Sequence, residues 1–126
     1  MKKKNLLLFL IAAISFVRCS GSDSYRGSWK AVDMKGKEFV IDFQSKQFSI
    51  IDSAGKKENF TYKQHSVSIE NSVSTYGIQL GDGRKLIIHF PFANKDHIAL
   101  LKDENGLPLY TLCRRDFLKY EEIYKL

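Results

Sequence analysis

Three histidines, two cysteines and fourteen carboxylates are the side chains through which this 126-residue chain could hold a metal, attack a carbonyl or move a proton. His65, His89 and His97 are scattered, and no H-x-H or H-x₃-H spacing sets two on one face, so no metal site is expected. His89 stands between Ile88 and Phe90, which makes it either a surface residue of a strand or a single polar group inside. Cys19 and Cys113 form no C-x-x-C pair and no cluster with histidine. Cys113 lies in an apolar segment, has no candidate base for a catalytic thiol, and reads as a small buried hydrophobe. The carboxylates fall mainly in turns and on the polar faces of strands. Nothing in their spacing sets up the paired acids of glycoside hydrolysis. No G-x-S-x-G and no glycine-rich phosphate loop is present, and Gly81-Asp82-Gly83 reads as a hairpin turn. No enzyme, cofactor or metal centre is therefore expected.

The first residues carry targeting chemistry instead. Lys2, Lys3 and Lys4 precede an apolar run from Leu6 to Val17 that only Ser15 interrupts. A positive start before about a dozen apolar residues has the form of a secretory signal peptide, and it falls short of the roughly twenty residues of a spanning helix. The chain carries 20 lysines and arginines against 14 acids, but Lys2, Lys3, Lys4 and Arg18 lie in residues 1–18 with none of the acids. The remaining 16 against 14 leave a net charge of +2 and no basic stripe, so nucleic acid is not an expected partner. Residues 19–126 have the length of one domain with a single core.

From Tyr25 onward the pattern has period two. Phe39, Ile41 and Phe43 share one face against Glu38 and Asp42, and the alternation resumes at Phe48 and Ile50, Phe60 and Tyr62, Val67 and Ile69, and Tyr76, Ile78 and Leu80. Half-buried antiparallel strands alternate in this way. The segments 85–90 and 97–102 are apolar on both faces, as strands are when a second element covers them. Turn residues fall between the runs at Met34–Lys37, Asp52–Lys56, Gly81–Gly83 and Asp103–Gly106. The expected fold is all-β: an up-and-down antiparallel barrel of eight or nine strands, at 26–33, 37–43, 46–52, 57–64, 66–71, 74–80, 85–91, 96–102 and 107–114. A short C-terminal helix is expected from Asp116, with Phe117, Tyr120 and Tyr124 on the side that meets the barrel.

Two short motifs carry a resemblance. Phe16-Val17-Arg18-Cys19 resembles a lipobox, with Phe16 and Arg18 standing where leucine and a small residue are usual. The resemblance implies that Cys19 takes a diacylglycerol thioether and becomes the mature N-terminus, with a tether through Ser20-Gly21-Ser22-Asp23-Ser24 behind it. The alternative is ordinary secretion, with Cys19 free or bonded to Cys113. Gly27-Ser28-Trp29 at the first strand looks like the G-x-W that opens lipocalins, and Arg114 and Arg115 come directly after the last strand, where that family sets a basic residue over the tryptophan. The chain is similar to the short lipocalin-like, calycin-type lipoproteins of Bacteroidetes. That likeness implies barrel closure through Gly27, Trp29 and Arg114. It also implies residues 1–18 as signal, 19–25 as lipidated cysteine and tether, 26–126 as barrel, and a lipid-anchored place in the cell envelope, at the outer membrane or cell surface. The chain is much shorter than an ordinary lipocalin.

Within such a barrel, Phe39, Phe43, Phe60, Tyr62, Tyr76, Phe90 and Tyr110 could line a cavity for a small apolar ligand. The alternative, favoured by so short a chain with so many large side chains, is that they fill the core. The expected function is non-enzymatic: binding of a small apolar ligand, or a structural surface in the envelope. From a different class, the alternative is a protein-interaction lipoprotein, an inhibitor of a secreted hydrolase or an accessory subunit of an envelope complex. Lipidation has a direct test. Cells fed a clickable palmitate analogue should label the wild-type chain and not Cys19→Ser, which should move to the aqueous phase of a detergent partition. An unlabelled wild-type chain would refute the lipobox reading.

Overall fold

A computed structural model describes residues 24–125, so the signal-like segment and Cys19 lie outside the described residues. Eight strands succeed one another in chain order: β1 (Gly27–Asp33), β2 (Glu38–Phe43), β3 (Gln47–Asp52), β4 (Lys57–Glu70), β5 (Val73–Leu80), β6 (Lys85–His89), β7 (Ile98–Asp103) and β8 (Pro108–Cys113). Each pairs antiparallel with the next, and β8 returns to β1 through Lys30↔Cys113 and Ala31↔Leu112, closing the barrel. Closure satisfies the backbone groups that a free edge would leave open.

In a meander every second hairpin lies at the same end of the barrel. At one end, here called the mouth, three of the four hairpins are built on the same five residues, Asp-x-x-Gly-x. The Asp33 carboxylate accepts the N–H groups of Lys35 and Lys37, Asp52 those of Ala54 and Lys56, and Asp103 those of Asn105 and Leu107, all at 2.9–3.0 Å. In each the glycine adopts positive φ, between 87° and 89°, which closes a tight turn at no steric cost. The fourth, β5–β6, keeps the glycine at Gly83 and uses Asp82 to accept the Arg84 N–H at 3.0 Å.

The segments 57–64 and 66–71 are one strand, β4, so the barrel has eight strands and His65 is not in a turn. Gln64 pairs with Ile78 and Ser66 with Gly77, leaving His65 as the extra residue of a bulge. The bulge depends on its partner: a Cβ on Gly77 would lie 2.3 Å from Ser66 Oγ and 3.1 Å from the His65 ring. The turn falls instead at Asn71-Ser72, both at positive φ (52° and 65°), as a two-residue hairpin with right-handed strand twist requires. Beyond the bulge the β4–β5 ribbon carries Val67 and Ile69 exposed.

The double-sided apolar character of β7 has its cause in the tail. Ala99 and Leu101 belong to the interior cluster, while Ile98 and Leu100 form a second cluster outside the barrel with Cys113 and Ile123. The tail reaches this site through a bend over residues 114–116 and irregular chain after it, held by Lys30 Nζ donating to Arg115 O at 2.9 Å and by Thr111 Oγ1 donating to Leu118 O. Those two bonds explain why no helix starts at Asp116. Helix α1 is a single turn, Tyr120–Ile123, opened by the Lys119 N–H donating to the Glu122 carboxylate at 2.9 Å. Its anchor is Ile123, and Tyr124 is largely exposed. Among the described residues Cys113 has no disulfide partner, and its sulfur is buried under this cover. Ile123→Ala should lower stability by about 2–4 kcal/mol and speed alkylation of Cys113, monitored by peptide mass spectrometry. Unchanged alkylation would mean that the tail does not shield the thiol.

Candidate functional site

The two ends of the barrel differ. The end opposite the mouth, the base, is filled by aromatic side chains stacked in from the strands and from the chain entering β1. Tyr25 inserts between Phe43, at a centroid distance of 5.5 Å, and Tyr76, at 5.0 Å, and its hydroxyl donates to Gln64 Oε1 at 2.7 Å. Phe43 contacts Phe48 and Tyr62, and Phe90 lies 6.0 Å from both Trp29 and Tyr76. Edge-on and tilted pairs of this kind add to the apolar burial itself. Tyr25, at the end of the segment read as tether, is 2% exposed and part of the core, so the folded unit begins before Arg26. The sequence around it, polar and glycine-bearing, conceals this because the contacts that bury it come from β2, β4 and β5.

Trp29 is 1% exposed. Its indole N–H donates to Tyr25 O at 2.7 Å, and the Arg114 guanidinium carbon sits 3.7 Å from the ring centroid. The same guanidinium donates to the carbonyls of Ser24, Arg26 and Ser28 at 2.7–2.9 Å. A planar fork of donors can cover a ring face and still reach several carbonyls, which an ammonium cannot do. Gly27 sits beneath it at φ +100°, where a Cβ would come within 3.1 Å of Arg114 Nη1. Gly27, Trp29 and Arg114 thus meet at one point, where the first and last strands join.

The mouth is open. It holds a cavity of about 400 Å³ with walls of Phe60, Ile50, Leu86, Leu109 and Tyr110, and with Asp33, Glu58 and Arg84 around them. Of the seven aromatics expected to line a cavity, Phe60 and Tyr110 do so. Phe39 packs edge-on against Tyr110 at 5.4 Å. Phe43, Tyr62, Tyr76 and Phe90 do not line it: they lie in the packed base, where Tyr25 enters from outside the strand pattern and takes up the space. Arg84 lies 5.5 Å from the Phe60 centroid and pairs with Asp82 at 2.9 Å, and that bond lowers the Asp82 pKa. Burial, and then the carboxylates of Asp33 and Glu58, push the Tyr110 hydroxyl above its ordinary range.

Motif spacing does not single out Asp33, Glu58 or Arg84. A signal for the two acids is nevertheless present in the period-two count: Trp29, Ala31 and Asp33 run up one inward face, and Tyr62, Phe60 and Glu58 up another. The histidines stay apart. His89 Nδ1 lies 2.8 Å from Thr75 Oγ1, and burial, with Lys102 nearby, lowers its pKa. Among the described residues no group of three His, Cys, Asp or Glu side chains could hold a metal. No helix of the described residues is long and apolar enough to cross a membrane.

No protein-family profile, curated protein or solved structure matches the chain.

The base has a thermodynamic signature. Trp29→Ala should cost about 3–5 kcal/mol in urea unfolding, and Arg114→Ala less. The double variant should fall short of the sum by roughly 0.5–2 kcal/mol, the scale of a cation–π contact. Strict additivity would show that the stacking contributes nothing.

Proposed function

We propose that this chain is a non-enzymatic, lipid-anchored envelope protein whose lipocalin-like barrel binds a small ligand of apolar or amphipathic character at its mouth. The observation that carries this reading is the division of the interior. The aromatics fill the base, while the mouth keeps about 400 Å³ of open volume over apolar walls. Small-molecule sites are concave and mostly apolar, span about 300–1,000 Å³, and carry a few convergent polar groups. A packed base below an open mouth gives a ligand one way in and a firm floor. The lipid anchor rests on the lipobox resemblance at Cys19, and the lipocalin-like assignment on Gly27, Trp29 and Arg114.

The second reading is a protein-interaction lipoprotein, and one observation favours it. The β4–β5 ribbon overhangs the base with Val67 49% and Ile69 66% exposed. Exposed apolar residues on a two-stranded ribbon offer a partner both side chains and an extended backbone.

Native mass spectrometry of the protein purified from its own membrane separates the two. The cavity reading expects a retained small molecule, lost from Leu109→Trp, which fills the mouth, with the melting temperature unchanged. A wild-type chain that carries no small molecule, together with a protein partner whose mass is lost from Ile69→Ser, would overturn the cavity reading in favour of the second.

A further inference from the structure

The inward positions of a packed small barrel are filled by apolar side chains. At the mouth three strands depart from this at one level. Above Trp29 and Ala31 on β1 stands Asp33, above Tyr62 and Phe60 on β4 stands Glu58, and Arg84 precedes Leu86 and Ile88 on β6. The guanidinium of Arg84 is already matched by Asp82, through Nη2 at 2.9 Å and Nε at 3.0 Å, and it lies against the Phe60 ring. Asp33 uses one carboxylate oxygen for its turn, at Lys35 and Lys37. Among the described residues neither Asp33 nor Glu58 has an ion-pair partner within 4 Å. Glu58 acts on the Arg84 guanidinium through its charge, and Asp33 shares the cavity lining with both, so with Arg84 matched by Asp82 the lining carries two further carboxylates. The field of Asp33 and Glu58 reaches the Tyr110 hydroxyl and opposes its ionisation.

We infer that the mouth cavity selects an amphiphile with a cationic head, such as a primary ammonium on a small apolar body, over the neutral or anionic compound of the same body. The inference rests on the reading of the cavity as a ligand site. An ammonium brings three donors and no acceptor. The free oxygens of Asp33 and Glu58 and the Tyr110 hydroxyl can take them, while the apolar body rests on Ile50, Leu86 and Leu109. A carboxylate head in the same place would sit against two like charges, Asp33 half-buried and Glu58 exposed, and would meet repulsion where the ammonium meets attraction.

The test uses the full chain in phospholipid nanodiscs, with isotope-labelled Ile and Leu methyl groups, titrated with octylammonium, octanol and octanoate. Shifts of the Ile50, Leu86 and Leu109 methyls report the cavity and not the bilayer. Octylammonium should reach half-saturation at roughly one-tenth the concentration of octanol, the scale of one charge-assisted hydrogen bond, and octanoate should bind weakest. Glu58→Gln with Asp33→Asn, which keeps the turn acceptor, should bring octylammonium to the level of octanol. Octanoate binding as tightly as octylammonium, or a double variant with unchanged preference, would overturn the cationic head while leaving the cavity a ligand site. Unmoved cavity methyls with all three compounds would overturn the ligand site itself.

Discussion

Closure of the sheet between β1 and β8 is the constraint on which the rest of this structure depends. The ladder at that seam is short, four residue pairs from Lys30↔Cys113 to Asp33↔Tyr110. Arg114 extends the seam past the end of the ladder. It comes directly after β8, covers the Trp29 indole and binds the carbonyls of Ser24 and Arg26 in the segment that leads into β1 and of Ser28 within β1. One side chain thereby joins the two ends of the barrel sheet, covers a large aromatic ring and satisfies backbone acceptors that the open ladder leaves without partners. Position 27 favours glycine because its φ of +100° strains any L side chain, and a Cβ there would also come within 3.1 Å of the guanidinium.

From that joint the interior divides by side-chain size. Aromatic residues occupy the base, where the entering chain adds Tyr25 to those of β2, β4 and β5. Toward the mouth the inward positions change to Ile50, Leu86 and Leu109, and then to the charged groups Asp33, Glu58 and Arg84. An eight-stranded barrel has room inside for a packed core or one small ligand. Here the two outcomes share one barrel at different heights. The Asp-x-x-Gly-x turns at this end keep the rim short and well defined, since each aspartate holds its turn with two backbone N–H groups.

The outer face of the seam is covered as well. The tail bends at residues 114–116, is tied to β1 through Lys30 and to β8 through Thr111, and then turns once as α1 to set Ile123 over Ile98, Leu100 and Cys113. Both faces of β7 are therefore apolar, and the strand adjoining the seam is enclosed on both sides. On the opposite side of the molecule β4 past the bulge at His65 is exposed, with Val67 and Ile69 in solvent, while its partner β5 stays half-buried or buried and paired with β6 as far as Thr75.

The all-β class, the meander, and the turns at Gly36, Gly55, Gly83 and Gly106 were legible in the sequence, because each rests on local chemistry. Alternation reports a half-buried strand, and Asp-x-x-Gly reports a turn whose hydrogen bonds lie within five residues. Trp29 and Arg114 could be paired in advance through the resemblance they carry. What only the tertiary structure decided depends on residues far apart in the chain. His65 sits in a bulge because Gly77, twelve residues on, leaves room for it. Tyr25 belongs to the core because Phe43 and Tyr76 form a site for its ring. Phe43, Tyr62 and Tyr76 pack together instead of lining a cavity because that ring contacts all three, and Phe90 joins them through Tyr76 and Trp29. Asp33, Glu58 and Arg84 converge on one mouth because barrel closure brings β1, β4 and β6 to the same level, a coincidence that no single segment of the sequence encodes.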